Sequence, residues 1–257
     1  VSGIEIFHLA DAPFEAYAGP PGRIDVADVI TTANSSTIAA GFVESEGGPF
    51  AYRCDYEAVC IPLDDTMTWD AGSGSRATKA GDVIWIPHGG RASYGSVGAA
   101  HFLYATFPVN WPEIVGWTAG EDVKDLNGAE DTGALDGVTL TPLDGPAMPW
   151  RTARRSSGES FEHAVVTRPG TGAAMTTMLL RTPTPVGWNL AAGEGLVLVL
   201  SGTVRLESGS SPAQEAGPGD LIWKPMDVPL RVETNGRSLC VSISSEAGTA
   251  ALKRASN

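Results

Sequence analysis

The chain has 257 residues, 42% of them hydrophobic, and a formal net charge of −13. That length suits one large or two modest domains, each with its own core. The acidity argues against nucleic-acid partners, which need clustered Lys and Arg, and against an anionic membrane surface. No stretch approaches the ~18 apolar residues of a membrane span.

In chain order, Ile4–Phe7 reads as a short strand before a Pro- and Gly-rich connection. Residues 26–45, rich in Val, Ile and Thr, read as two strands around Ala33–Ser36. Gly47-Gly48-Pro49 is a turn. Residues 50–69 hold two strands separated near Pro62–Asp65, and Gly72–Ser75 is a further turn. A strand over 82–86 stops at Pro87, His88-Gly89-Gly90 turns, and 91–107 gives two more strands. Acidic residues scattered among Gly and Ala mark a linker over 118–137. Beyond it the clearest strand is Leu196–Leu200, an unbroken apolar run expected to be buried on both faces. From Ser245 the sequence suits a short terminal helix, with Ser as cap and Lys253-Arg254 near its end.

One heptapeptide occurs twice. Gly81-Asp-Val-Ile-Trp-Ile-Pro87 returns 138 residues later as Gly219-Asp-Leu-Ile-Trp-Lys-Pro225. Upstream the echo continues at an offset of 136: Phe14 over Trp150, Val29-Ile30 over Val165-Val166, Tyr52 over Trp188. A period this long suits two domains of one fold rather than a solenoid. The expected division is 1–117, a linker 118–137, a second domain 138–245 and a tail 246–257. Many short strands and frequent turns make both domains all-β, sandwich or barrel.

The three cysteines, Cys54, Cys60 and Cys240, are expected to be free and mostly buried. Cys54 and Cys60 on one extended strand would lie roughly 20 Å apart, too far to bridge. The odd count and the lack of a visible secretory signal point to a reducing, cytoplasmic setting.

The spacing of Gly81, Pro87 and Gly89 resembles the opening of the second cupin motif, Gly-x5-Pro-x-Gly-x2-His-x3-Asn. Glu57 with Asp64 resembles the Glu-x6-Gly of the first motif, with the Gly replaced. Ala80–Gly89 and Phe102–Trp111 resemble the ethanolamine-utilisation-type cupins, over about 100 residues of the first half. The resemblance implies two tandem cupin-like double-stranded β-helix (jelly-roll) barrels. It also implies departures. The His-x-His positions fall on Phe50 and Tyr52 and the second-motif His position on Ala92. In the second half the corresponding residues are Trp188, Leu190, Gly195 and Leu230. No metal is therefore expected at the usual cupin position, and no cofactor.

Candidate site residues follow. Glu57, as an inward carboxylate, would serve as general acid or base. The competing reading is a solvent-facing strand residue. Tyr52 and Tyr94 would steady oxyanion charge or simply fill the barrel. His101 would be a second acid–base group. His101 and Tyr104 have opposite parity on one strand, so at most one of them points inward. Phe50, His88, Arg91 and Tyr104 are the substrate-binding candidates, with His88 and Arg91 weighed against plain solvated turn residues. An atypical metal site from Glu57, His101 and Asp55 is the least favoured alternative. No phosphate-binding glycine loop, Cys-x2-Cys pair or Gly-x-Ser-x-Gly elbow is present. These residues imply a small-molecule enzyme of the metal-independent kind, an isomerase, cyclase or lyase working in the first barrel, with the second barrel mainly structural. The alternatives are a non-catalytic metabolite-binding or accessory cupin and an atypical metal-dependent cupin oxygenase. The expected partners are a small-molecule substrate and a second copy of the chain in a homodimer.

Overall fold

The computed structural model describes residues 3–70, 74–118, 137–154, 158–190, 193–209 and 211–245. Most of the expected linker, the Gly72-Ser73 part of one expected turn and the expected terminal helix lie outside these residues. The fold is almost entirely β. The one α-helix among the described residues is a single turn, Trp111–Ile114, with Pro112 in its first turn. No helix is long and apolar enough to cross a membrane.

The chain divides into two compact units. One runs from Ala12 to Ala147; the other joins the residues up to Asp11 with those from Met148 onward. Each is built almost wholly of antiparallel β-strands. This division corrects the boundaries read from the sequence, because two edge strands belong elsewhere. Glu5–His8 pairs antiparallel with Asp220–Lys224, so it completes the C-terminal unit. Thr139–Thr141 pairs antiparallel with Val83–Ile86, so it completes the N-terminal unit.

The repeated heptapeptide explains where these strands dock. Gly81 and Gly219 have φ of 87° and 86°, a left-handed turn that Gly adopts without a Cβ penalty. The following Asp closes the turn in the same way in both copies. Asp82 Oδ2 accepts from the Lys79 N–H at 3.0 Å, and Asp220 Oδ2 accepts from the Gly217 N–H at 2.7 Å. The other carboxylate oxygen holds the edge segment. Asp82 Oδ1 accepts from the Leu143 N–H at 2.8 Å, and Asp220 Oδ1 lies 2.6 Å from His8 Nδ1.

In the N-terminal unit the sheet runs, in spatial order, Thr139–Thr141, Val83–Ile86, Glu57–Pro62, Arg91–Phe107, Ala39–Arg53, Arg23–Ile30 and Glu15–Ala18. The segment 91–107, expected as two strands, is one of 17 residues that pairs with Glu57–Pro62 at one end and Met67–Asp70 at the other. Its partner Ala39–Arg53 changes register at Gly47 and again before Phe50. Gly47 and Gly48 take φ of 84° and 108° at this bend. The bend lets each long strand serve both walls of a barrel. Side chains alternate over the first four residues of 91–107: Ala92 and Tyr94 are buried inward, whereas Arg91 and Ser93 are only half-buried.

The C-terminal unit has a seven-stranded sheet and a four-stranded sheet. Its core contains Val197, Val199, Leu206, Ile222, Val232 and Trp188. Leu196–Val199 are buried on both faces, as a continuous apolar run requires.

Candidate functional site

Five tyrosines occur in the sequence, and all five line one cavity inside the N-terminal barrel. They are Tyr17, Tyr52, Tyr56, Tyr94 and Tyr104. The cavity measures about 80 Å³. Ile24, Val26, Val43 and Ala58 supply aliphatic wall, and Phe102 and Trp111 supply more aromatic wall. Cys60 and Thr106 complete it, so no charged side chain among the described residues lines it.

The sheet registers account for this convergence. Residues directly opposite in an antiparallel pair share a face. Cys60 pairs with Tyr104, Tyr104 with Gly41, and Gly41 with Asp28. Pro62, Phe102, Val43 and Val26 form the next inward row. Phe50 pairs with Tyr94 and Tyr52 with Ala92, which sets the aromatic floor. Tyr94 stacks on Trp69 at 4.7 Å between centroids and meets Tyr52 edge-on at 6.0 Å. Trp111 packs against Tyr17, Tyr56 and Tyr104 at 5.6–5.9 Å.

Burial pushes the phenols of Tyr52, Tyr56 and Tyr94 well above the ordinary tyrosine range. It pushes Tyr17 up to about 12. The phenols are therefore proton donors at neutral pH. Cys54 hydrogen-bonds with Tyr56, and burial raises its thiol to about 12. The cysteines are free, buried and protonated rather than nucleophilic.

Several residues expected at the site are elsewhere. Glu57 is buried but lies in register with Phe107, on the face shared by Val59 and Ile61. The cavity is lined from the other face, by Ala58 and Cys60. Tyr56 takes the inward place expected for Glu57. His101 faces outward, its Nε2 3.2 Å from Glu44 and its Nδ1 3.4 Å from Asp64. Tyr104 is thus the inward member of that pair. His88 is exposed on its turn, and Arg91 faces away from the cavity beside Arg53. Phe50 is fully buried beneath Tyr94, at 5.5 Å, and does not reach the cavity. Asp55 pairs with Arg53 at 3.1 Å, so the alternative metal set does not assemble. Among the described residues no group of three His, Cys, Asp or Glu is placed to hold a metal ion.

The inward carboxylate is Asp28, which the sequence reading passed over. It alternates with Ile24 and Val26 on the inner face of Arg23–Ile30. It lines a second cavity of about 120 Å³ with Thr31, Thr32, Asn110 and Glu113. Trp111 forms a wall of both cavities. Asp28 Oδ1 is buried without a hydrogen-bond partner. Burial, with the charge of Glu15 added, pushes the carboxyl up to about 7.

The C-terminal unit has a cavity of about 240 Å³ between Ile4, Leu206 and Gln214, but its barrel offers little room beside Trp188. There the interior cavity is about 10 Å³, the scale of a single water. Lys224 stands where Ile86 stands in the first copy and is buried. Its Nζ donates to the carbonyls of Gly193, Pro225 and Met226 at 2.6, 3.1 and 3.4 Å. All three donors are engaged, which suits a lock on two loops rather than a nucleophile.

Residues 15–113 match the family described as ethanolamine utilisation protein EutQ. The acetate kinase EutQ of Escherichia coli is 27% identical over 113 residues, 44% of this chain and 48% of that protein. The acetate kinase EutQ of Clostridioides difficile is 23% identical over 92 residues, 36% of this chain and 59% of that protein. The chain thus spans about half the length of the curated relatives it matches. Among solved structures, an oxalate decarboxylase–formate complex from Lactobacillus farciminis aligns over 96% of this chain and 87% of its own. Its TM-score is 0.64 and its identity 10%. A glyoxylate-induced protein from Pseudomonas aeruginosa aligns over 95% of this chain and 90% of its own, with TM-score 0.63 and 14% identity. Both likenesses are of fold. Residues 15–113 thus resemble the EutQ family, and the chain as a whole shares the two-barrel fold of these solved structures.

Proposed function

We propose that the protein is a small-molecule enzyme of the metal-independent cupin kind, an isomerase, cyclase or lyase, whose site is the tyrosine-ringed cavity of the N-terminal barrel. The observation that carries this reading is the convergence of all five tyrosines on one cavity. Tyr52 and Ala92 occupy positions where the cupin motifs supply metal ligands. The site is instead a wall of protonated phenols in an apolar setting. Such donors stabilise oxyanion charge that develops on a bound carbonyl.

The lining also selects by charge. A carboxylate or phosphate entering this cavity would lose its hydration and meet no Lys or Arg. The preferred substrate is small and neutral. For the same reason the acetate kinase activity named for the relatives is not carried over to this cavity.

Titration of the full chain by tryptophan fluorescence tests this, because Trp111 is a cavity wall. Acetoin, a neutral hydroxyketone, is expected to bind saturably, and lactate, a charged compound of similar size, is not. Tyr52→Phe removes one hydroxyl from the wall and is expected to weaken acetoin binding about 5- to 10-fold. Equal binding of lactate, or no effect of Tyr52→Phe, would count against the reading.

A further inference from the structure

We infer that Asp28 is the proton-transfer group of this site and that the substrate is a neutral carbonyl compound with an acidic α-hydrogen; this deepens the functional reading above and rests on it. Four features of the barrel lead to it.

Asp28, Gly41 and Tyr104 lie in one inward row across three adjacent strands. Gly41, having no side chain, leaves room in that row for the Tyr104 ring. The Tyr104 ring lies over it, since a Cβ at Gly41 would sit 2.9 Å from both Cε1 and the hydroxyl. The hydroxyl is thus about one strand spacing, ~5 Å, from the strand that carries Asp28.

Asp28 Oδ1, the Tyr104 hydroxyl and the Thr106 hydroxyl are all buried without hydrogen-bond partners. Buried polar groups are ordinarily satisfied, so three orphans beside two cavities that share Trp111 as a wall ask for a common ligand. Their chemistry defines its complement. Tyr104 and Thr106 donate to an acceptor such as a carbonyl oxygen. Ionised Asp28 accepts only. A carbonyl with an acidic C–H beside it supplies both halves.

The step balances without an added reagent. The Asp28 carboxylate takes the α-proton and becomes a carboxylic acid. The C–H electron pair forms the C=C bond, and the carbonyl π pair moves to oxygen. The resulting enolate oxygen is held by the Tyr104 O–H. Asp28 then returns its proton to the same carbon, which regenerates the ketone; in an α-hydroxyketone the hydroxyl proton can first pass to the enolate oxygen, and Asp28 then protonates the former carbonyl carbon to give the isomer.

The Asp28 carboxyl, near 7, is matched to proton transfer at neutral pH. The titratable groups facing it are Glu15 on the adjacent strand, Glu113 across the second cavity, and the phenols of Tyr17 and Tyr104. Burial keeps the Tyr17 phenol protonated through this range. Activity is therefore expected to rise with pH through about 7 as Asp28 ionises.

The test is deuterium wash-in at the α-carbon of acetoin, followed by proton NMR with the full chain in D₂O. The protein is expected to accelerate exchange. Asp28→Asn is expected to remove at least about 100-fold of that acceleration, and Tyr104→Phe about 10-fold, with acetoin binding retained in both by fluorescence. Wild-type exchange in Asp28→Asn, with binding intact, overturns the role of Asp28 and leaves the cavity reading standing. Bound acetoin with no accelerated exchange in the wild type also overturns the inference. No binding of acetoin at all overturns the cavity reading with it. Should Asp28→Asn misfold, the same comparison is made with Tyr104→Phe and Thr106→Val.

Discussion

Asp28→Asn is expected to stabilise the protein above pH 7 and to leave its stability nearly unchanged near pH 4. The carboxyl titrates near 3.8 in a solvated chain and at about 7 in the fold, chiefly because burial penalises the charged form. A group that binds its proton more tightly when folded stabilises the fold at low pH. That contribution is complete below pH 3.8, declines as the pH rises, and levels off above 7. Asn keeps the shape and carries no charge at any pH. The gap between variant and wild type should therefore open between pH 4 and 7. It should reach roughly 2–4 kcal/mol, the lower end allowing for solvent around a half-buried side chain. Glu15 and Glu113 remain in both proteins and largely cancel in the comparison. Calorimetry at pH 4.5 and 8 measures it. A gap that is the same at both pH values would mean that Asp28 is ionised throughout. A stabilised but inactive variant is the trade expected of a carboxylate kept buried for chemistry.

Gly41→Ala is expected to be among the most damaging single-methyl changes in the N-terminal barrel. The new Cβ would sit 2.1 Å from the Ala27 carbonyl oxygen, a backbone atom that cannot swing aside. It would also press on the Tyr104 ring and hydroxyl at 2.9 Å. Overpacking of this kind costs about 3 kcal/mol. It would also move Tyr104 out of the row it shares with Asp28. Gly3→Ala meets nothing within 4 Å and serves as the control. Urea melts of the two variants give the comparison. A Gly41→Ala protein within about 0.5 kcal/mol of wild type would show that the row is loosely packed.

The parts legible in the sequence were those fixed by local chemistry. The doubled Gly-Asp turn announced the tandem barrels because a left-handed Gly and an Asp that caps its own turn have no close substitutes. Parity along 91–107 correctly separated Tyr104 from His101, because a strand has a period of two. The motif position misplaced Glu57 because a turn intervenes. The backbone bonds Cys54 N–H to Gly90 O and Gly89 N–H to Cys54 O pin one end of the Cys54–Tyr56 connection. Its length then decides which of Tyr56 and Glu57 turns inward, and motif spacing does not encode that. Asp28 was within reach: Ile24, Val26 and Asp28 alternate, and a carboxylate continuing an apolar face is the signal. The docking of Glu5–His8 on Asp220–Lys224 was not legible, since short edge strands say nothing about a partner more than two hundred residues away.

The most direct test of the tyrosine-ringed cavity is fluorine NMR of the full chain labelled with 3-fluorotyrosine. The five tyrosines give five resonances, one for each lining phenol. Added acetoin is expected to shift all five together. In a parallel 5-fluorotryptophan sample it is expected to move Trp111 and leave Trp188 and Trp223 in place. Tyrosine resonances that stay fixed while Trp188 moves would place the binding site in the C-terminal barrel and contradict the account.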